Sequence, residues 1–201
     1  MTDLQTPDAT RTFDGVDIPE AGVFDLDVAH STVSFSVRHL MVSKTRGRFG
    51  AFAGAVTVGE DPLASSVEVT IDPASITTGD ATRDEHLRSA DFFDVEQFPE
   101  ITFRSTRVAD HHGDRFRLEG DLTVRGITRP VVLDAVLEGI ATSPWGTQAV
   151  GFSASTEIDR EAFGLTWNQS LETGGVLVGK TVKVEIEAEI NRRTPQDGAT
   201  A

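Results

Sequence analysis

The chain has 201 residues, a net charge of −14 and no cysteine, so it is long enough for one well-buried domain and short for two. Without cysteine there is no disulfide, thiolate metal site or cysteine nucleophile, and the acidic balance disfavours nucleic acid and general adhesion to anionic membranes, both of which need basic surface. Apolar residues make up 38% and mean hydropathy is slightly negative, as in a water-soluble globular domain, and no apolar run approaches the roughly 20 residues of a spanning helix, so no stable membrane insertion is expected.

Residues 1–20 are polar and punctuated by Pro7, Gly15 and Pro19. They lack the basic start and apolar stretch of a secretory signal. They read as a flexible N-terminal segment, and a cytoplasmic location is the expectation. From there on, period-two alternation dominates, and each such segment has one wet and one dry face. Val33, Phe35 and Val37 alternate with Ser34, Ser36 and Arg38. Val67, Val69 and Ile71 alternate with Glu68, Thr70 and Asp72. Phe116, Leu118, Leu122 and Val124 share a dry face with Gly120. Val182, Val184, Ile186, Ala188 and Ile190 stand against Lys183, Glu185, Glu187 and Glu189.

With the weaker segments added, strands fall near 22–28, 32–40, 46–58, 65–72, 100–108, 114–124, 130–140, 147–157 and 179–190, about eight or nine, with ends placed to within roughly 2–4 residues. So many strands joined by polar turns point to an all-β sandwich or barrel. Small residues at expected dry-face positions, Ala51, Ala53, Ala55, Gly120, Ala135, Gly151 and Ser153, leave interior room or let corners bend. That favours a barrel with a cavity. Two helical segments interrupt the pattern. Thr82 to Glu85 fits a capping box opening a helix to about Ala90, and Asp159 to Phe163 forms a short second one. A loop carrying Trp167 and Asn168 follows, through Gly175. The domain is read as 21–190, with 191–201 a disordered tail.

Several segments then occur in a characteristic order: Phe24-Asp25-Leu26-Asp27, His30 to Leu40, Gly47-Arg48-Phe49, Ser75-Ile76-Thr77-Thr78, Arg83-Asp84-Glu85-His86-Leu87-Arg88, Asp91-Phe92-Phe93-Asp94, Phe98 to Phe103, Gly120 to Thr128 and Asp159 to Leu165. Each is weak alone, but the ordered series, across roughly 22 to 190, resembles the YceI-like family. The resemblance implies an extended antiparallel eight-stranded lipocalin-like β-barrel with one or two short helices. It also implies an apolar tunnel for a polyisoprenoid or other long-chain isoprenoid or fatty amphiphile, and often a homodimer.

The inward-facing candidates for such a ligand are Phe35, Val37, Phe49, Ile101, Phe103, Phe116, Leu118, Leu122, Leu133 and Leu137, with Phe163, Leu165 and Trp167 as a lid or portal. Most apolar residues of a barrel are simply core, and only an open cavity converts them to ligand contacts. His39 shares the face of Val37 and either meets a ligand's polar end or is satisfied by a backbone carbonyl or by Asn168. Residues 30–59 contain no acidic residue but hold Arg38, Lys44, Arg46 and Arg48, suited either to an anionic head group or to a solvated hairpin or dimer face. Arg83 either reaches the pocket mouth or clamps a loop, and Asn168 is a further head-group candidate.

No metal-ligand spacing, phosphate loop or nucleophile elbow is present, so no cofactor and no metal are expected. Asp84 cannot orient His86 two residues along one helix, and a hydrolytic triad is not expected. A binding, storage or transport role is therefore preferred. A lyase or isomerase working in the same cavity is the first alternative. A stress-linked interaction module with a filled barrel is the second.

Overall fold

The computed structural model describes residues 10–40, 42–143, 146–170 and 175–193. Among them the chain forms β1 (Thr10–Phe13), β2 (Val16–Pro19), β3 (Gly22–His39), β4 (Ser43–Phe49), β5 (Phe52–Val58), β6 (Ser66–Ile71), β7 (Ile76–Thr77), α1 (Ala81–Arg88), β8 (Ile101–His112), β9 (Arg115–Val124), β10 (Ile127–Thr142), β11 (Gln148–Asp159) and β12 (Val178–Arg192). Turns of 3-10 helix occupy Pro62–Ala64, Pro73–Ser75 and Arg160–Phe163.

The strands from β5 to β12 follow one another antiparallel in the order β5, β6, β8, β9, β10, β11, β12, and β3 pairs with both β5 and β12. The sheet thereby closes on itself, which removes the free edges that an open sheet would expose. β3 is one strand of 18 residues where two were expected, because β12 runs alongside both halves of it. On its other side one neighbour became two: β5 pairs with Gly22–Asp25 and β4 with Val33–His39. Between them Gly50 turns its N–H to the Ser75 carbonyl at 3.2 Å. Counting β4 and β5 as one position, the barrel has the eight antiparallel strands expected.

Alternation sets the polarity of the wall. Phe103, Leu118 and Leu133 are buried together inside, while outward neighbours carry charge, as in the Arg107–Glu119 pair at 2.7 Å and the Arg117–Asp110 pair at 3.2 Å. This is the reverse of a membrane-spanning barrel, whose outer band is apolar. No helix among the described residues is long and apolar enough to cross a membrane.

The two ends of the barrel differ. At one, α1, the 3-10 turn Arg160–Phe163 and the loop after it pack Phe92, Phe163 and Leu165 against Ile101 and Val124. At the other lie the β5–β6 and β8–β9 connections and the hairpin β1–β2.

That hairpin corrects the sequence reading of residues 1–20 as flexible, for the part that is described. Asp14 and Gly15 both have positive φ, 50° and 78°, a two-residue Asp-Gly turn whose twist suits paired strands, and Phe13 faces Val16 in the register. Two local features are corrected as well. Asp80, not Thr82, caps α1, its side chain accepting from Arg83 N–H at 3.0 Å, since aspartate outranks threonine as a cap. The expected second helix is the single 3-10 turn Arg160–Phe163, opened by Asp159 and ended by Gly164 at φ 75°. At the C-terminal end β12 continues to Arg192, and residues 194–201 of the expected tail lie outside the described residues.

Candidate ligand-binding cavity

Between the barrel walls lies a cavity of about 270 Å³. Phe52, Val56 and Val58 of β5 face it, as do Val67, Val69 and Ile71 of β6 and Phe103 of β8. Phe116, Leu118 and Leu122 of β9 line it with Val131, Leu133, Ala135 and Leu137 of β10. Phe152, Ala154, Val184, Ile186, Ala188 and Ile190 complete the circuit with Leu26 and Val33. Ala135 and Ala154, cross-strand partners, keep the interior open where larger residues would meet.

Six of the inward candidates therefore line the cavity: Phe103, Phe116, Leu118, Leu122, Leu133 and Leu137. The small residues are more mixed. Ala51 and Ala53 are exposed, because the dry face of β5 is Phe52, Val56 and Val58. Gly120 is buried and inward, but its missing Cβ makes room for Phe103: a Cβ there would lie 2.5 Å from Phe103 Cζ and 2.6 Å from the Arg104 carbonyl oxygen.

The remaining apolar candidates lie outside the cavity lining, in the aromatic packing of the helix end or on the strands beyond it. The Phe35 and Phe49 rings are 5.7 Å apart, and Phe49 meets Phe93 edge-on at 5.9 Å. Trp167 meets His86 at 4.7 Å and Phe92 at 5.3 Å. Phe163 and Trp167, expected at a portal, thus plug the barrel, with Phe163 in the buried core. Val37 and His39 sit further along β3, opposite Thr45 and Ser43. The barrel is longer than its cavity, so an inward position on β3 does not guarantee cavity contact.

The plug is tied down by a buried arginine. Arg160, 3% exposed, donates to the carbonyls of Gly179 at 2.9 Å, Trp167 at 3.0 Å and Leu165. Burial holds its pKa below the usual arginine value, opposed by Glu161 and Asp159. Asn168 adds a second tie, donating to the Val178 carbonyl at 2.8 Å and accepting from Val178 N–H at 3.0 Å. Asn168 is thereby a structural residue of this loop, away from the cavity lining.

The arginines expected at a head group also lie off the cavity. Arg38, Arg46 and Arg48 are exposed on β3 and β4, on the opposite face from Phe35 and Phe49. Arg83 clamps a loop, donating to Thr78 Oγ1 at 2.7 Å and the Thr78 carbonyl at 3.1 Å. The buried Asp84 carboxylate accepts from Thr78 N–H at 2.8 Å and Thr78 Oγ1 at 2.5 Å. Burial pushes its pKa up, but these donors, with Thr77 and Arg88, outweigh burial and leave it below the usual aspartate value.

His86 pairs with Asp91 at 2.9 Å, and Ser89 donates to the His86 carbonyl at 2.8 Å, which forms a helix end and no triad. On the outer surface, Asp27, His30 and Glu189 offer donor atoms within 4.8 Å of one another, a grouping made by β3 pairing with β12 and invisible to sequence spacing. Its groups are already engaged: Asp27 accepts from Ala29 N–H at 2.9 Å and Asn191 Nδ2 at 2.9 Å, and its hydrogen bond to the imidazole raises the pKa of His30.

The hairpin end completes the cavity and supplies residues that sequence reasoning missed. Phe13, Ile18 and Pro19 line it, with Pro62, Leu63, His111 and Asp114. The Asp14-Gly15 pair was the available signal.

This architecture is shared with known proteins. The model of the YceI-like domain matches residues 24–190. A UPF0312 protein of Staphylococcus aureus is 40% identical over 170 residues, 84% of this chain and 96% of its own. Among solved structures, BcnA of Burkholderia cenocepacia superposes with a TM-score of 0.70 at 26% identity, covering 82% of this chain and 99% of that one. The YceI protein of Campylobacter jejuni does so with 0.67 at 29% identity, covering 78% and 90%. A polyisoprenoid binding domain from Saccharophagus degradans shares the fold, with a TM-score of 0.63 at 15% identity over 87% of this chain and all of that one. A closed eight-stranded barrel with this helix end, matched over residues 24–190, makes the chain a member of the YceI-like family.

Proposed function

We propose that the protein binds a long-chain apolar molecule, a polyisoprenoid or fatty amphiphile, inside the barrel and stores or carries it. The observation that carries this reading is the space of about 270 Å³ inside the barrel with an almost wholly apolar wall. A chain entering it leaves water at a gain of roughly 0.8 kcal/mol per methylene, so binding needs few polar contacts. The titratable lining residues support binding over catalysis by their position: His111 lies near the end of β8 and Asp114 in the β8–β9 connection, both at the hairpin end, and Glu187 is exposed. The polyisoprenoid binding described for the Saccharophagus degradans domain suggests the ligand class.

The test is a titration of the detergent-free protein with a fluorescent polyene fatty acid, followed by displacement with farnesol, geranylgeraniol and a longer polyprenol. Saturable one-to-one uptake, with competition that tightens as the chain lengthens, is expected. An absence of uptake, or equal competition by a short alcohol such as hexanol, contradicts the proposal.

A further inference from the structure

Resting on that reading, we propose that the hairpin β1–β2 is the gate of the cavity and that Phe13 is the residue that sets access. The family match begins at residue 24, so the hairpin lies outside the matched domain, yet it supplies Phe13, Ile18 and Pro19 to the cavity wall. Ile18 is only 8% exposed. An isolated two-stranded hairpin is marginal in water, so this one depends on its docking against the barrel mouth.

Besides the apolar contacts of Phe13, Ile18 and Pro19, the polar docking contacts among the described residues lie at the rim. Arg11 donates to the carbonyls of Gly59 and Glu60 in the β5–β6 connection. Asp14 accepts from Gly113 N–H at 3.2 Å and stands 3.4 Å from His111 Nδ1. The Phe13 ring lies 4.8 Å from the His111 ring. No strand of the hairpin is in register with a barrel strand, so it can lift without breaking the barrel's hydrogen-bonded ladder. Lids and gates are drawn from such sparsely tied, low-stability elements.

A second hollow, about 430 Å³ and more open, lies on the other side of this contact. Phe13, Leu63, Val108 and His111 line both spaces, so Phe13 forms part of the partition between them. With the gate shut, the inner volume falls just under the roughly 300–1,000 Å³ range of small-molecule pockets. A short isoprenoid fits behind the closed gate, whereas a longer one must pass Phe13 into the outer hollow. Among the described residues neither space is lined by lysine or arginine, so a neutral alcohol is the appropriate probe.

The experiment compares the full chain with the Arg11→Ala/Phe13→Ser variant. Farnesol and a longer polyprenol are followed by stopped-flow displacement of a fluorescent fatty acid, and amide exchange of β1–β2 is read beside that of β9 and β10. The expected result is association at least tenfold faster in the variant, with the larger gain for the longer alcohol. Hairpin amides exchange faster while β9 and β10 keep their protection. Unchanged association in a variant whose hairpin amides exchange freely overturns the gate alone. Absence of uptake by both proteins overturns the gate together with the carrier reading. Should the double variant not fold, Arg11→Ala serves in its place, since that side chain contacts rim carbonyls and leaves the apolar wall intact.

Discussion

Filling the cavity from within is the sharpest perturbation of ligand binding. Ala135 on β10 is 6% exposed, lines the cavity and lies between Phe116 and Ala154 in the sheet register. Ala135→Phe adds six ring carbons to that space and displaces a comparable length of ligand chain. At roughly 0.8 kcal/mol per buried methylene, the full loss is about 5 kcal/mol, and a chain that re-threads limits it to about 2. Affinity for a long polyprenol should therefore fall between roughly 30-fold and several-thousand-fold, at 1.4 kcal/mol per decade. The ring enters open space, so the cost to stability should stay at or below the roughly 1–3 kcal/mol of overpacking a filled core. Probe displacement reads the affinity and urea unfolding the stability, with Ala141→Phe, an exposed site on the same strand, as the control. Undiminished affinity in a folded Ala135→Phe variant would show that the chain does not occupy this cavity.

Other substitutions test the frame around it. Arg160→Ala leaves the carbonyls of Leu165, Trp167 and Gly179 without their donor and should destabilise by about 3 kcal/mol in urea unfolding. Arg160→Lys should recover only part, because a single ammonium cannot reproduce the fork. Gly120→Ala places a Cβ against Phe103 and the Arg104 carbonyl and should lower the unfolding midpoint more than Gly151→Ala, whose nearest contact is 3.7 Å. Asp84, with its pKa below the usual aspartate value, contributes stability that is fully present above the unfolded-state pKa and lost as pH falls through the folded one. Thermal melts across the acid range should show a shallower decline for Asp84→Asn than for the parent.

Much of the barrel is legible in the sequence because its strands alternate cleanly. The run Val182 to Ile190 and the face Phe116, Leu118 and Leu122 both point where the alternation says. β5 is less legible, since Ala51 to Val58 carries apolar residues on both faces, and period two cannot choose between Ala53 and Phe52. The cavity itself is only half legible. Phe35, Phe49, Phe103 and Leu118 all alternate inward, but distance along the barrel decides whether such a residue meets empty space or the plug at the helix end. That distance depends on register, to which local pattern is blind. The hairpin β1–β2 was hidden by composition: prolines and polar residues made the segment look unstructured, while Asp14-Gly15 between Phe13 and Val16 carried the turn signal. The surface group of Asp27, His30 and Glu189 needs the β3–β12 closure to exist at all.

The most direct test of the central claim is mass spectrometry on the protein purified without detergent from its own host, reading the native mass and the organic extract of the same sample. One long-chain isoprenoid or fatty molecule per protein, lost in the Ala135→Phe variant, is the expected result. A protein that emerges empty, and stays empty after incubation with polyprenols, would contradict a carrier and move the function to the barrel's surface.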